Sequence, residues 1–116
     1  AAGLGTALAD LISGYAQWAP ISFVVHGVEG LLIALIVRRQ GDKEASLIRK
    51  LFAGLVCIAT VSLGYFALSS LFISTVSVAA AEIPGNIAQS GVGFVLGLGV
   101  ASAVKRAYPP VRSLAW

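Results

Sequence analysis

Charge is scarce in this chain. Asp, Glu, Lys and Arg make up 11% of the 116 residues, against about a quarter in ordinary soluble domains. With 58% hydrophobic residues and a mean hydropathy of +0.91, the composition excludes a soluble globular domain and indicates an all-α integral membrane protein. The single cysteine, Cys57, lies in an apolar run, so neither an internal disulfide nor a Cys-based zinc site can be built. The single histidine, His26, excludes the His-Glu-x-x-His zinc motif. No Gly-x-Ser-x-Gly elbow and no Gly-rich phosphate loop ending in Lys occurs, which leaves no recognisable nucleophile or ATP site. No cofactor or metal is expected. The net charge of +3 comes without aromatic interleaving or a recognition motif, so nucleic acid is not an expected partner.

The basic residues carry the topology. All 8 Lys and Arg fall within Arg38 to Lys50 and Lys105 to Arg112. Asp10 to Pro20 and Ser74 to Glu82 contain none. Short cytoplasmic loops collect Lys and Arg, so both clusters share the cytoplasmic side only if an even number of spans separates them. Leu51 to Ile73 and Ile83 to Val104 supply two. Pro20 to Val37 supplies another, with Pro20 suited to its first turn. Ala1 to Ser13 is the outer part of a helix closed by Asp10, and at about 1.5 Å per residue it is too short to cross alone. The expectation is a single transmembrane domain, N-terminally incomplete, with a cytoplasmic C-terminus. Ser74 to Ala81 reads as a connection, and Pro109-Pro110 rules out further helix. Two small-residue seams for close helix packing are expected, Ala1/Gly5/Ala9 and Ala81/Gly85/Gln89/Gly93/Gly97/Ala101.

Polar residues inside the spans collect in the outer half. Counted from the outer helix ends, His26 and Glu29 lie about 9 and 13 Å deep and Tyr65 about 12 Å, while Glu82, Asn86 and Gln89 descend from the outer start of the last span. Glu82, Asn86 and Gln89 share one helix face, as do His26 and Glu29. A carboxylate at membrane depth costs roughly 2.5–3.5 kcal/mol on insertion scales, so these groups face the bundle or a wet cavity. Together with Trp18 they make a candidate site for a small polar aromatic ligand. Each has a plainer reading: Glu82 as a helix N-terminal acid, Asn86 and Gln89 as interhelical glue, His26 with Glu29 as a buried pair, Tyr65 and Trp18 as an interfacial belt.

Ala7-Leu8-Ala9-Asp10-Leu11, Gly14-Tyr15 through Trp18-Ala19-Pro20, His26-Gly27-Val28-Glu29-Gly30 and above all Glu82-Ile83-Pro84-Gly85-Asn86-Ile87-Ala88-Gln89 resemble the substrate-binding S component of energy-coupling factor (ECF) vitamin transporters, in particular the hydroxymethylpyrimidine or pyridoxine group. The resemblance implies a six-helix bundle of which this chain supplies the end of the third helix and the fourth to sixth. It implies a capture subunit that binds a vitamin or precursor from outside and works in the lipid bilayer with a transmembrane scaffold subunit and two ABC-type ATPases. Where one version of the family's fourth helix carries Lys, this chain has His26, whose imidazole prefers different partners from a compact cation. Two other readings remain open: a proton-coupled transporter using Glu29 or Glu82, and a membrane enzyme using His26 and Glu29.

Overall fold

The computed structural model describes residues 1–38 and 43–114. Part of the expected polar turn, residues 39–42, and residues 115–116 lie outside the described residues. The elements are helix α1 (Ala2–Ile12), α2 (Ala19–Val37), α3 (Leu47–Phe72), α4 (Val76–Ala107) and a closing 3₁₀ helix (Pro109–Leu114). Of these, α2, α3 and α4 are long and apolar enough to cross a membrane. The protein is a membrane protein, and many of its large apolar side chains, Leu31, Leu55, Leu63 and Leu96 among them, are exposed on the helix surfaces.

Local chemistry explains the helix ends. Asp10 does not close α1; the helix runs on to Ile12 and stops in a Schellman motif. There the Tyr15 N–H donates to the Asp10 carbonyl at 2.8 Å and the Gly14 N–H to that of Leu11 at 3.3 Å. Gly14 takes φ +84°, which is why glycine stands there. Pro20 sits in the first turn of α2. Helix α3 starts at Ser46, whose hydroxyl accepts from the Arg49 N–H at 3.3 Å.

The last helix begins earlier than its sequence suggests. Ser74 to Ala81 is not a connection: Thr75 caps α4 by accepting from the Val78 N–H at 3.3 Å, and the alanines behind it are strong helix formers. Pro84 consequently lies inside the helix, where its missing N–H leaves one backbone bond unmade. After α4, Pro109 does not end helical structure but opens a 3₁₀ turn, a start position where no N–H is needed.

The helices pack in chain order, α1 on α2, α2 on α3 and α3 on α4. Neighbours run antiparallel, as the contacts of Gly3 with Gly27, Ser22 with Tyr65 and Ser69 with Glu82 require. Ile21, Val25 and Val61 form the buried centre, with Trp18, Tyr65, Leu68 and Ile73 against it. Among the described residues, neither expected seam is the one in use. Ala1, Gly5 and Ala9 are exposed, and α1 meets α2 instead through Gly3, where an added Cβ would lie 2.2 Å from the Phe23 carbonyl oxygen. On α4 the buried positions are Ala79 and Ser90, and the Phe94 ring lies over Gly54. A Cβ added at Gly85, Gly93 or Gly97 would meet nothing within 4 Å among the described residues.

Both basic clusters lie at one end of the molecule. Lys105 Nζ donates to Glu44 Oε2 at 3.0 Å and Lys50 Nζ stands 3.7 Å from the same oxygen, tying the segment before α3 to the end of α4. The hydrogen bond and charge of Lys105 hold the Glu44 carboxyl below the usual carboxylate range.

Candidate functional site

At the end opposite the basic cluster, all four helices contribute to one cavity of about 260 Å³, lined by Asp10, Trp18, Ser22, Tyr65, Glu82, Asn86 and Gln89. Each lining residue is placed by helix periodicity. Gly3, Thr6 and Asp10 recur at i, i+3 and i+7, so they share the face of α1 that meets α2. Thr6 Oγ1 reaches the Ser22 carbonyl at 3.3 Å. Trp18 precedes α2 and Ser22 lies in its first turn, so the Trp18 ring stands beside that of Tyr65 with centroids 6.1 Å apart and planes at 46°. Glu82, Asn86 and Gln89 come from successive turns of α4.

Hydroxyl contacts hold three of the lining residues, Ser22, Tyr65 and Glu82. The Ser22 and Tyr65 hydroxyls are 2.6 Å apart. Glu82 Oε2 accepts from Ser69 Oγ at 3.3 Å, and Ser69 in turn meets Ser74 at 2.9 Å. Hydroxyls bridging helices in this way satisfy groups that lipid cannot. Asp10 Oδ2 is shut off from solvent and has no hydrogen-bond partner among the described residues, a condition it shares with Ser62 Oγ on α3.

His26 and Glu29 occupy a different tier. Facing α3 nearer the basic end, they pair with each other through Nδ1 and Oε2 at 2.5 Å, and Cys57 Sγ donates to the other Glu29 oxygen at 2.7 Å. Neither lines the small cavity. They stand instead at the head of a larger, mainly apolar groove of about 870 Å³ between α2 and α4, which Gln89 also borders. The His26 ring bridges the two tiers, edge-on to Tyr65 with centroids 5.8 Å apart. No group of three or more His, Cys, Asp or Glu residues arranged to hold a metal occurs among the described residues.

Of the residues expected from sequence, Trp18, Tyr65, Glu82, Asn86 and Gln89 thus share the small cavity, and His26 and Glu29 do not. Sequence reasoning missed Asp10 and Ser22. The signal for Asp10 was present: it is the one ionisable side chain of an otherwise apolar helix, and such residues mark sites by default. Ser22 carries no comparable mark, since single serines are common in membrane helices.

A family model described as "ECF-type riboflavin transporter, S component" matches residues 1–106. The chain belongs to this family. An S component is the substrate-binding transport subunit of an ECF vitamin transporter, not an enzyme, and it works in a membrane complex with a T subunit and ATPase subunits. The S component is also similar to an uncharacterised protein of Pyrococcus woesei, 29% identical over 111 residues that cover 96% of this chain and 71% of that protein. No solved structure matches.

Proposed function

We propose that this S component captures, from the outer side of a bacterial plasma membrane, a water-soluble vitamin or precursor built on one polar aromatic ring, hydroxymethylpyrimidine or pyridoxine. The observation that carries this reading is the small cavity itself, in which two aromatic rings stand beside two carboxylates, two amides and a hydroxyl pair. At about 260 Å³ it is smaller than the roughly 300–1,000 Å³ of sites for drug-sized ligands. A single ring with short hydroxyl or amino substituents suits it. Trp18 and Tyr65 would stack on the ring, and Glu82, Asn86 and Gln89 would meet its substituents. His26 and Glu29, a tier below, would brace Tyr65 and α3 without touching the ligand. The C-terminus would be cytoplasmic, and the natural bundle would have six helices, of which this chain forms the last part.

A second reading is favoured by the name of the matching family, which is a riboflavin transporter. One experiment separates the two. The protein, co-reconstituted in vesicles with its scaffold subunit and both ATPases, is offered radiolabelled pyridoxine, hydroxymethylpyrimidine or riboflavin with ATP inside the compartment that the ATPases face. Uptake of a single-ring compound that stops without ATP supports the proposal. Uptake of riboflavin alone replaces it with the second reading, and uptake that persists without the ATPases removes both.

A further inference from the structure

The charge of the small cavity is one-sided. Among the described residues no Lys, Arg or His lines it, while Asp10 and Glu82 both border it. Glu82 has a partner in Ser69. Asp10 Oδ2 has none among the described residues, although its solvent exposure is essentially nil. A carboxylate oxygen held away from both water and donors is costly unless something supplies the missing proton or charge. The Schellman turn at Gly14 and the contact of Gly3 with Phe23 and Gly27 fix α1 on either side of Asp10, so the side chain is not free to leave the cavity wall by fraying of its helix.

We propose that Asp10 is a specificity-determining residue of this site and that, with Glu82, it selects a ring bearing a cationic substituent and rejects anionic, phosphorylated forms. The inference rests on the vitamin-capture reading and adds the ligand's charge to it. The physical basis is that a hydrogen bond to a charged group inside a shielded site is worth about 1.5–3 kcal/mol, whereas a phosphate brought against two carboxylates meets like charge at close range in a low dielectric. Trp18 and Tyr65 add to the preference, because aromatic faces attract cations. Neutral rings would still stack, but Asp10 would remain unpaired.

The test compares three ligands that share one ring: pyridoxamine, with an ammonium group, pyridoxine, with a hydroxyl in its place, and pyridoxine 5′-phosphate. Affinities are measured by calorimetry on the intact protein in lipid nanodiscs. Pyridoxamine should bind at least about tenfold more tightly than pyridoxine, and the phosphate more weakly than either. Asp10→Asn should abolish most of the preference for pyridoxamine over pyridoxine, a change in ratio that a purely structural role would not give. Should Asp10→Asn not fold, Glu82→Gln and the wild-type ligand order carry the test. Equal affinities for the three ligands, or a preference unchanged in Asp10→Asn, would overturn the charge inference while leaving vitamin capture standing. The predicted order without ATP-driven uptake in the reconstituted complex would leave the charge inference and remove the capture reading. Binding of none of the three would overturn both.

Discussion

Replacing Gly3 by alanine tests the way α1 is seated, and with it the position of Asp10. An ideal Cβ on Gly3 would lie 2.2 Å from the Phe23 carbonyl oxygen and 2.9 Å from the Gly27 nitrogen, both backbone atoms. Neither can turn aside as a side chain would, so α1 must lift by more than an ångström before reaching ordinary contact at 3.4 Å. Overpacking of this kind costs about 1–3 kcal/mol. Alanine also gains up to about 1 kcal/mol of helix propensity over glycine, which would blur the result if Gly3→Ala were measured alone. Gly5 supplies the control, because a Cβ there meets nothing within 4 Å. Gly5→Ala keeps the propensity gain without the clash, so the difference between the two variants isolates the contact. Reversible unfolding in mixed micelles should place Gly3→Ala below Gly5→Ala by about 1–3 kcal/mol. Ligand affinity should fall in Gly3→Ala as well, since Asp10 rides on the same helix face. A Gly5→Ala variant as destabilised as Gly3→Ala would refute the seating and restore the seam at Ala1, Gly5 and Ala9.

Three further outcomes follow from the geometry. Gly54→Ala would set a Cβ 2.7 Å from the Phe94 ring; the ring can shift into the adjoining groove, so the loss of stability should be smaller than for Gly3→Ala in the same unfolding assay. The Glu44 carboxyl is held low by Lys105, so it binds a proton less readily folded than unfolded; its contribution is complete above the ordinary carboxylate range and is lost as pH falls through the folded value. Wild type should therefore exceed Glu44→Gln in thermal stability at neutral pH and converge with it in acid, and a gap that widens in acid would contradict this. Single cysteines at the exposed positions Gln17 and Ser113, in a Cys57→Ala background, should label from the outside and the inside of intact cells respectively; labelling of Ser113 from outside would reverse the topology.

How far the sequence was legible depends on which physical signal each feature leaves. The three long apolar helices were readable because hydrocarbon thickness demands long apolar runs. The placing of both basic clusters at one end was readable because Lys and Arg are so few, and the Glu44 contacts with Lys50 and Lys105 bring them together. The common face of Glu82, Asn86 and Gln89 followed from helix periodicity alone. The seams did not follow, because lipid is as apolar as leucine: a small residue turned toward a helix and one turned toward lipid look alike in composition. The start of α4 was hidden by a Ser-, Val- and Ala-rich stretch that resembles a loop until Thr75 is recognised as its cap. The tier of His26 and Glu29 was hidden because depth along a helix does not say which neighbour a side chain faces. In the fold Glu29 meets Cys57 of α3, a contact that its depth along the helix does not reveal.

Central to the proposed function is the claim that the small cavity would bind the ligand through α4. Calorimetric titration of pyridoxine or hydroxymethylpyrimidine, whichever wild type binds more tightly, into wild type, Asn86→Ala, Glu82→Ala and Ser102→Ala tests it most directly. Removing one partner of a polar group in a shielded site costs about 1–3 kcal/mol, so Asn86→Ala and Glu82→Ala should each weaken binding by roughly tenfold to a hundredfold. Ser102 donates back to the Leu98 carbonyl, at 2.8 Å, nearer the basic end of the same helix, and its replacement should leave affinity unchanged. Affinity within about twofold of wild type in Asn86→Ala and Glu82→Ala, a difference of only about 0.4 kcal/mol, together with a lowered Tm, would show that these side chains hold helices together and that the ligand lies elsewhere.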